Sequence, residues 1–353
     1  MSVVSVHNVL LKGIAAAVPQ LVYSNMAYEH ISVPDRELFI KTTGIRERRV
    51  AGKHQSTSDM CYEPALQLLD KLGWHKDEVD AVIVVTQSPD YFIPGSAVIL
   101  QDRLGFKKSC LAFDINLGCS GYVYGLYVLG NLLSSGQLKK GLLLVGDKST
   151  VSTAYTDKSA YPLFGDAGSA TALEYDPSAK AMYFNMGSDG SGKDAINIEH
   201  GGSRNGINED TFKLVEIEPG IAREKWHLKL DGIGIFNFAL REVSPSIREL
   251  YEKAGKTMED TDLFVFHQAN KLINESVRKK LKINDQAKVL YSLEKYGNTS
   301  SASIPLTMIT EAAGQLSGKQ LTLCLCGFGV GFSWASAIVE TDRIMCVPLI
   351  ELP

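Results

Sequence analysis

The feature that most constrains this chain is an internal duplication. Residues 79–86 read as a short buried strand, 95–104 as a helix, 110–115 as a second strand and 119–135 as a second helix. Strands over 141–146 and 169–175 complete the first half. Short β-branched runs alternating with helix-length stretches predict layered α/β structure, not a bundle or an all-β sandwich. The second half repeats the pattern. It places a strand at 262–266, a helix at 272–281, a strand at 288–291, a helix from Gly297 to about Ala313 and a strand at 321–325. The interval from Cys119 to Leu142 is 23 residues, and so is that from Asn298 to Leu321. The closing strands also correspond, Ala-Thr-Ala-Leu-Glu-Tyr-Asp at 170–176 matching Ser-Ala-Ile-Val-Glu-Thr-Asp at 336–342. A period this long is a duplicated domain, not a solenoid. It predicts two halves, 1–180 and 181–353, stacked about a pseudo-twofold axis. Equivalent elements then meet at the interface, where ligand sites are favoured. Residues 182–227, rich in Gly, Asn, Ser and Asp, read as a long excursion before the second repeat.

Composition narrows the function. A length of 353 residues suits two domains. With 45 % hydrophobic and 22 % charged residues the chain is ordinary globular material. A net charge of -4 excludes the basic footprint of a general nucleic-acid binder. No apolar run approaches the roughly 18 residues of a membrane-spanning helix. Residues 1–19 carry no signal-peptide pattern, so a cytoplasmic protein is expected. The six cysteines, at 61, 110, 119, 324, 326 and 346, are then expected to be reduced. There is no Cys-x-x-Cys, and no histidine accompanies Cys324 and Cys326. That pair reads as one face of a buried strand, and no metal site is expected.

Three residues stand out. Cys119 lies between Gly118 and Ser120, after a strand and before a helix. A lone cysteine is more often an inert packing residue. The strand-turn-helix setting resembles a nucleophile elbow and places the sulfur where helix amides would stabilise a thiolate. His267 follows an apolar strand directly, at the carboxyl edge where open α/β sheets bind ligands. The Gln268-Ala269-Asn270 that follows it is more than a core strand needs. His200, in a Gly-rich loop, is a weaker second histidine. Asn298 would serve as an ordinary N-cap. The repeat nevertheless sets it opposite Cys119, so that a thiol, an imidazole and an amide converge from two halves.

Several segments carry a family resemblance. Residues 114–121 (Asp-Ile-Asn-Leu-Gly-Cys-Ser-Gly), 266–270 (Phe-His-Gln-Ala-Asn), 296–305 (Tyr-Gly-Asn-Thr-Ser-Ser-Ala-Ser-Ile-Pro) and 327–334 (Gly-Phe-Gly-Val-Gly-Phe-Ser-Trp) resemble β-ketoacyl-acyl carrier protein synthase III. Residues 43–48 and 164–168 agree in the same order. The resemblance implies a thiolase-like, five-layered αβαβα fold. It implies decarboxylative Claisen condensation of an acyl thioester with malonyl-acyl carrier protein, in fatty acid or related lipid or secondary-metabolite synthesis. Cys119 would be the covalent nucleophile, with His267 and Asn298 holding the enolate oxygen. The backbone amides of Cys119 and Val330 would form the oxyanion hole. Thr42, Lys158, Ile93, Phe164, Phe328 and Asn270 would contact substrate, and Lys271 would dock the acidic carrier protein through a local basic patch. No cofactor beyond the thioester substrates is implied. A homodimer is, with the first-half sheets continuing across it.

This chain departs from the family pattern. Leu38 and Thr42 stand where the family has a Trp and an Arg that grip the adenine of coenzyme A, and Lys158 replaces a second Arg. Lys keeps the charge without the planar stacking surface. The departures favour a carrier-protein-borne or unusual acyl donor. Val330 replaces a usual glycine and would narrow the site. Ile93 replaces a phenylalanine that floors the partner's acyl pocket, implying room for a longer or branched acyl group. Two other activities fit the same cysteine. A hydroxymethylglutaryl-coenzyme A synthase needs a glutamate where this chain has Gln87. Transfer of the acyl group to an alcohol, amine or other non-malonyl acceptor stays open. A non-catalytic carrier-protein-binding homologue would be expected to have lost the cysteine.

Overall fold

The computed structural model describes residues 3–353. Two sheets enclose a shared helical layer. In the first, Ala81–Val85 lies between Leu111–Ile115 and Lys140–Asp147, parallel to both. Ala167–Tyr175 runs antiparallel to Lys140–Asp147, and Val9–Pro19 antiparallel to Ala167–Tyr175. The second sheet repeats this connectivity. Leu263–Phe266 is parallel to Leu321–Gly329, then Ser333–Thr341 and Met182–Ser188 follow antiparallel.

The period-2 alternation of the strands sorts the layers. Leu143 and Val145 face inward, with Leu323 and Leu325 of the other sheet, onto Leu126 and Leu129 of the helix Gly121–Leu133 and Ile304 and Met308 of Ser303–Gly318. Their neighbours Leu142 and Leu144 face outward onto the helices Thr57–Leu72 and Ser96–Arg103. Cys324 and Cys326 face outward onto Ser244–Ala254 and Lys271–Leu281. Strands buried on both faces read as continuous apolar runs. Each such leucine contributes roughly 1.5–3 kcal/mol on burial. The result is five layers, αβαβα.

The structure corrects the sequence reading in three places. The excursion at 182–227 opens with a core strand, Met182–Ser188, the counterpart of Val9–Pro19 in the other sheet. The strand expected at 288–291 is reduced to one parallel bridge, Phe264 to Val289. Its first-half counterpart, Leu111–Ile115, pairs along its whole length with Ala81–Val85. The division near residue 180 is also not clean. Val3–Val6 pairs with Met182–Ser188 in the second sheet, while Met345–Cys346 and Ile350–Leu352 pair with Val9–Pro19 in the first.

One local feature sets the site. Gly121 and Gly125 lie one turn apart on the central helix. A Cβ would stand 2.4 Å from Val85 Cγ1 at Gly121 and 2.6 Å from Leu143 Cδ1 at Gly125. Without side chains there, the helix sits directly on the first sheet and fixes the position of the residues before it, Cys119 among them.

Candidate active site

Cys119, His267 and Asn298 line one cavity of about 430 Å³. Val330, Phe164, Phe328 and Asn270 line it too. It opens where the strand ends of both sheets meet the N-termini of the two central helices.

Cys119 is buried, two residues before the helix Gly121–Leu133. The strand Leu321–Gly329 of the other half passes against it. A Cβ on Gly329 would lie 2.8 Å from the sulfur, so only glycine permits this approach. The Ser300 side chain and the backbone N–H groups of Val330 and of Cys119 itself stand near the sulfur and favour its charged form. Burial nevertheless dominates, with the nearby Asp147 charge adding to it, and the thiol is pushed up to about 12. The sequence expectation of a resting thiolate is therefore corrected, because desolvation outweighs the donors gathered near the sulfur. Alkylation of Cys119 by iodoacetamide, followed by peptide mapping, should keep rising with pH beyond the ordinary thiol value of about 8.5. A plateau below about pH 8 would contradict this.

His267 continues from the strand Leu263–Phe266, its N–H donating to Cys326 O at 2.7 Å. Ser303 Oγ stands 2.7 Å from Nδ1, and Phe328 meets the ring edge-on with centroids 5.7 Å apart. Burial lowers the imidazole pKa to about 3, against the opposing pull of the Ser300 backbone. The ring is therefore neutral at pH 7 and carries a single N–H.

Asn298 is clamped through its backbone. Its N–H donates to Leu163 O at 2.9 Å, and its carbonyl accepts from Gly165 N at 3.0 Å. This pairing seats Phe164 beside it. Asn298 Oδ1 accepts from Ser300 N at 2.9 Å. Among the described residues Nδ2 has no partner, which leaves an amide donor at the cavity.

Two residues that sequence reasoning did not single out hold this arrangement together. Ser300 donates its N–H to Asn298 Oδ1 and stands close enough to Cys119 and His267 to bear on the charge of both, from a left-handed backbone with φ of 48°. Asp147 ties the halves. Its Oδ1 accepts from Gln87 N at 2.8 Å and Thr86 Oγ1 at 3.0 Å, and its Oδ2 from Ser301 Oγ at 2.6 Å and Ser301 N at 3.1 Å. Ser300 lies inside a quoted motif, but nothing local marks its place among the three.

Other expected site residues lie elsewhere. Thr42 and Lys158 border a separate shallow cavity of about 300 Å³ with Asp35, Leu38 and Phe39. Lys158 Nζ donates to Pro219 O at 2.7 Å. Ile93 projects into solvent, 86 % exposed, and does not line its own chain's cavity. Lys271 is exposed at the first turn of Lys271–Leu281, beside the cavity-lining Asn270 and Ile273. His200 bonds Thr211 at 3.1 Å, away from the cavity. The remaining five cysteines are free thiols. No cluster of His, Cys, Asp or Glu among the described residues could hold a metal, and no described helix is long and apolar enough to cross a membrane.

Two α/β copies around a shared helical layer, with a cavity at their common strand ends, define a thiolase-like fold. Residues 113–190 match the family described as 3-oxoacyl-[acyl-carrier-protein (ACP)] synthase III, and residues 251–341 its C-terminal part. The chain is 34 % identical to the β-ketoacyl-[acyl-carrier-protein] synthase III of Staphylococcus epidermidis, over 95 % of this chain and 100 % of that protein. It is 34 % identical to the enzyme of the same name from Rhodopirellula baltica, over 95 % and 99 %. The structure matches that of a 3-oxoacyl-(acyl-carrier protein) synthase from Burkholderia xenovorans LB400 with a TM-score of 0.92. That match has 35 % identity and covers 99 % of both chains. The chain belongs to the β-ketoacyl-[acyl-carrier-protein] synthase III family.

Proposed function

We propose that this protein joins an acyl thioester to malonyl-acyl carrier protein by decarboxylative Claisen condensation, through an acyl group carried on Cys119. The observation that carries this reading is the convergence of Cys119, from one half, with His267 and Asn298, from the other, on a single cavity. The Cys119 sulfur attacks the thioester carbonyl, and the leaving thiol departs with the cysteine proton. The N–H groups of Cys119 and Val330, already beside the sulfur, receive the tetrahedral oxyanion. Malonyl-acyl carrier protein then enters and loses carbon dioxide. The enolate oxygen accepts hydrogen bonds from the neutral His267 ring and from Asn298 Nδ2. Its carbon attacks the acyl carbonyl, forming the new C–C bond. The C–S bond to Cys119 breaks, 3-oxoacyl-acyl carrier protein leaves, and the Cys119 sulfur takes up a proton from solvent to return to the thiol. No separate cofactor enters these steps.

Lys271, exposed at the cavity mouth, is the proposed docking point for the acidic carrier protein. Thr42 and Lys158 would border the distal end of the donor thioester. The active form is proposed to be a homodimer. Leu111–Ile115 is an edge strand of its sheet, with Leu111 and Phe113 exposed, and the exposed Tyr91, Phe92 and Ile93 follow the neighbouring strand. An uncovered apolar edge is an aggregation hazard that a second copy removes. The reaction is proposed to run in the cytoplasm.

The test is intact-mass measurement with acyl-coenzyme A and acyl-carrier-protein donors, followed by malonyl-acyl carrier protein. An acyl adduct should appear on Cys119. It should then be consumed as 3-oxoacyl-acyl carrier protein forms, with one carbon dioxide released per product. No adduct from any donor, or consumption of the adduct without a C–C product, would overturn the reading.

A further inference from the structure

The oxyanion hole proposed above draws its two donors from different halves, the Cys119 N–H from the first and the Val330 N–H from the second. A pair of buried serines ties the two turns together. Val330 opens the turn between the strands Leu321–Gly329 and Ser333–Thr341, whose ends pair Gly329 with Ser333. Ser333 Oγ lies 2.6 Å from Val330 O. A carbonyl only accepts, so the Ser333 proton is committed to it. Ser120 Oγ lies 2.7 Å from Ser333 Oγ and is therefore the donor of that bond. The run from Ser120 through Ser333 to Val330 O joins the residue after the nucleophile to the residue that carries the second amide.

Ser120 does this in place of a local role. It stands at the N-cap of Gly121–Leu133, where a serine ordinarily accepts from the helix amides, and its side chain makes no such bond. Both serines are buried, so removing either hydroxyl leaves its partner without water to replace it. The backbones are pressed together at this point, where a Cβ on Gly327 would lie 2.8 Å from Ser120 Cα. The far end of the turn is fixed separately. Phe332 N donates to Asp189 O at 2.7 Å, and Phe332 O accepts from Asp189 N at 2.9 Å. We propose that Ser120 and Ser333 are positioning residues of the oxyanion hole, setting the spacing between the N–H groups of Cys119 and Val330. Neither serine lines the cavity, so neither acts on substrate directly. Their effect is to hold the amide pair in place before the oxyanion forms, which spares the donors any reorganisation in the reaction. This inference rests on acyl transfer to Cys119 as proposed above.

The experiment compares two reactions of the same thiol. Acylation passes through a tetrahedral oxyanion, whereas alkylation by iodoacetamide does not. The ratio of the two rates therefore cancels any change in the thiol itself, which a merely structural disturbance would produce. Both rates are read on Cys119 by intact mass and peptide mapping. The donors are acetyl- to octanoyl-coenzyme A and the same acyl groups on carrier protein, and the fastest is used throughout. Ser333→Ala should lower the ratio of acylation to alkylation by about tenfold and Ser120→Ala by at least about threefold, the range of one lost hydrogen bond. Both fall short of the loss of a whole oxyanion-hole donor. The double variant should lose little more than Ser333→Ala alone, because the two bonds form one chain. A ratio left unchanged by either single substitution overturns the proposal alone, as do losses that multiply in the double variant. No adduct on the unmodified protein from any donor overturns it together with the acyl-transfer reading.

Discussion

Cys119→Ala should leave no acyl adduct and lower condensation by at least about 10³-fold, the scale on which a covalent nucleophile is lost. The effect is expected to be this large because no other thiol is placed to substitute. Cys61 and Cys110 pack in the outer layer of the first half and Cys324 and Cys326 in that of the second, while Cys346 lies beside the shared core. Release of carbon dioxide from malonyl-acyl carrier protein should persist in this variant, since the enolate donors come from the other half. Separate assays of adduct mass, condensation and carbon dioxide release check this. An adduct that survives the substitution would refute the nucleophile assignment.

His267→Ala should slow decarboxylation by roughly 10²–10³-fold, the loss typical of one donor removed from a developing oxyanion. Acyl transfer to Cys119 should fall much less, because the donors near the sulfur are backbone N–H groups and Ser300. Equal loss in both half-reactions would show that the proposed division of labour is wrong. The unmodified protein carries a further signature. Burial holds the imidazole pKa near 3, so the ring stays neutral as pH falls through the ordinary histidine value of about 6.5. The carbon dioxide release rate should therefore show no acid limb near 6.5. Such a limb, abolished in His267→Ala, would place a charged imidazole in the cycle instead.

Much of this molecule is legible locally. The helix at 271–281 begins at an Asn270 cap whose side chain accepts from Ile273 N, and ends among Arg278, Lys279 and Lys280. Such a cap is worth about 1 kcal/mol and signals itself in sequence. The strands 81–85, 140–147 and 321–329 are apolar runs bounded by turn residues. Met182–Ser188 was hidden, because Asn185 and Gly187 break the apolar pattern. Asn185 is buried in the sheet, where its Nδ2 donates to Ser246 O at 2.9 Å. Gly187 lies against Trp334, where any Cβ would collide with the indole. Both exceptions are answered by partners far along the chain. The converse holds at 288–291, whose apolar residues suggest a strand although only Val289 bridges to Phe264.

The candidate site divides along the same line. By itself the sequence determined the duplication and the α/β layering, which are written in periodicity and spacing, and it carried the ordered motifs whose family resemblance singles out Cys119, His267 and Asn298. Only the tertiary structure decided that the Cys119 sulfur rests as a thiol, that Ser300 stands among all three residues, that Asp147 couples the halves and that Ser120 meets Ser333. These properties depend on desolvation and on contacts between residues distant in the chain, which no local pattern encodes.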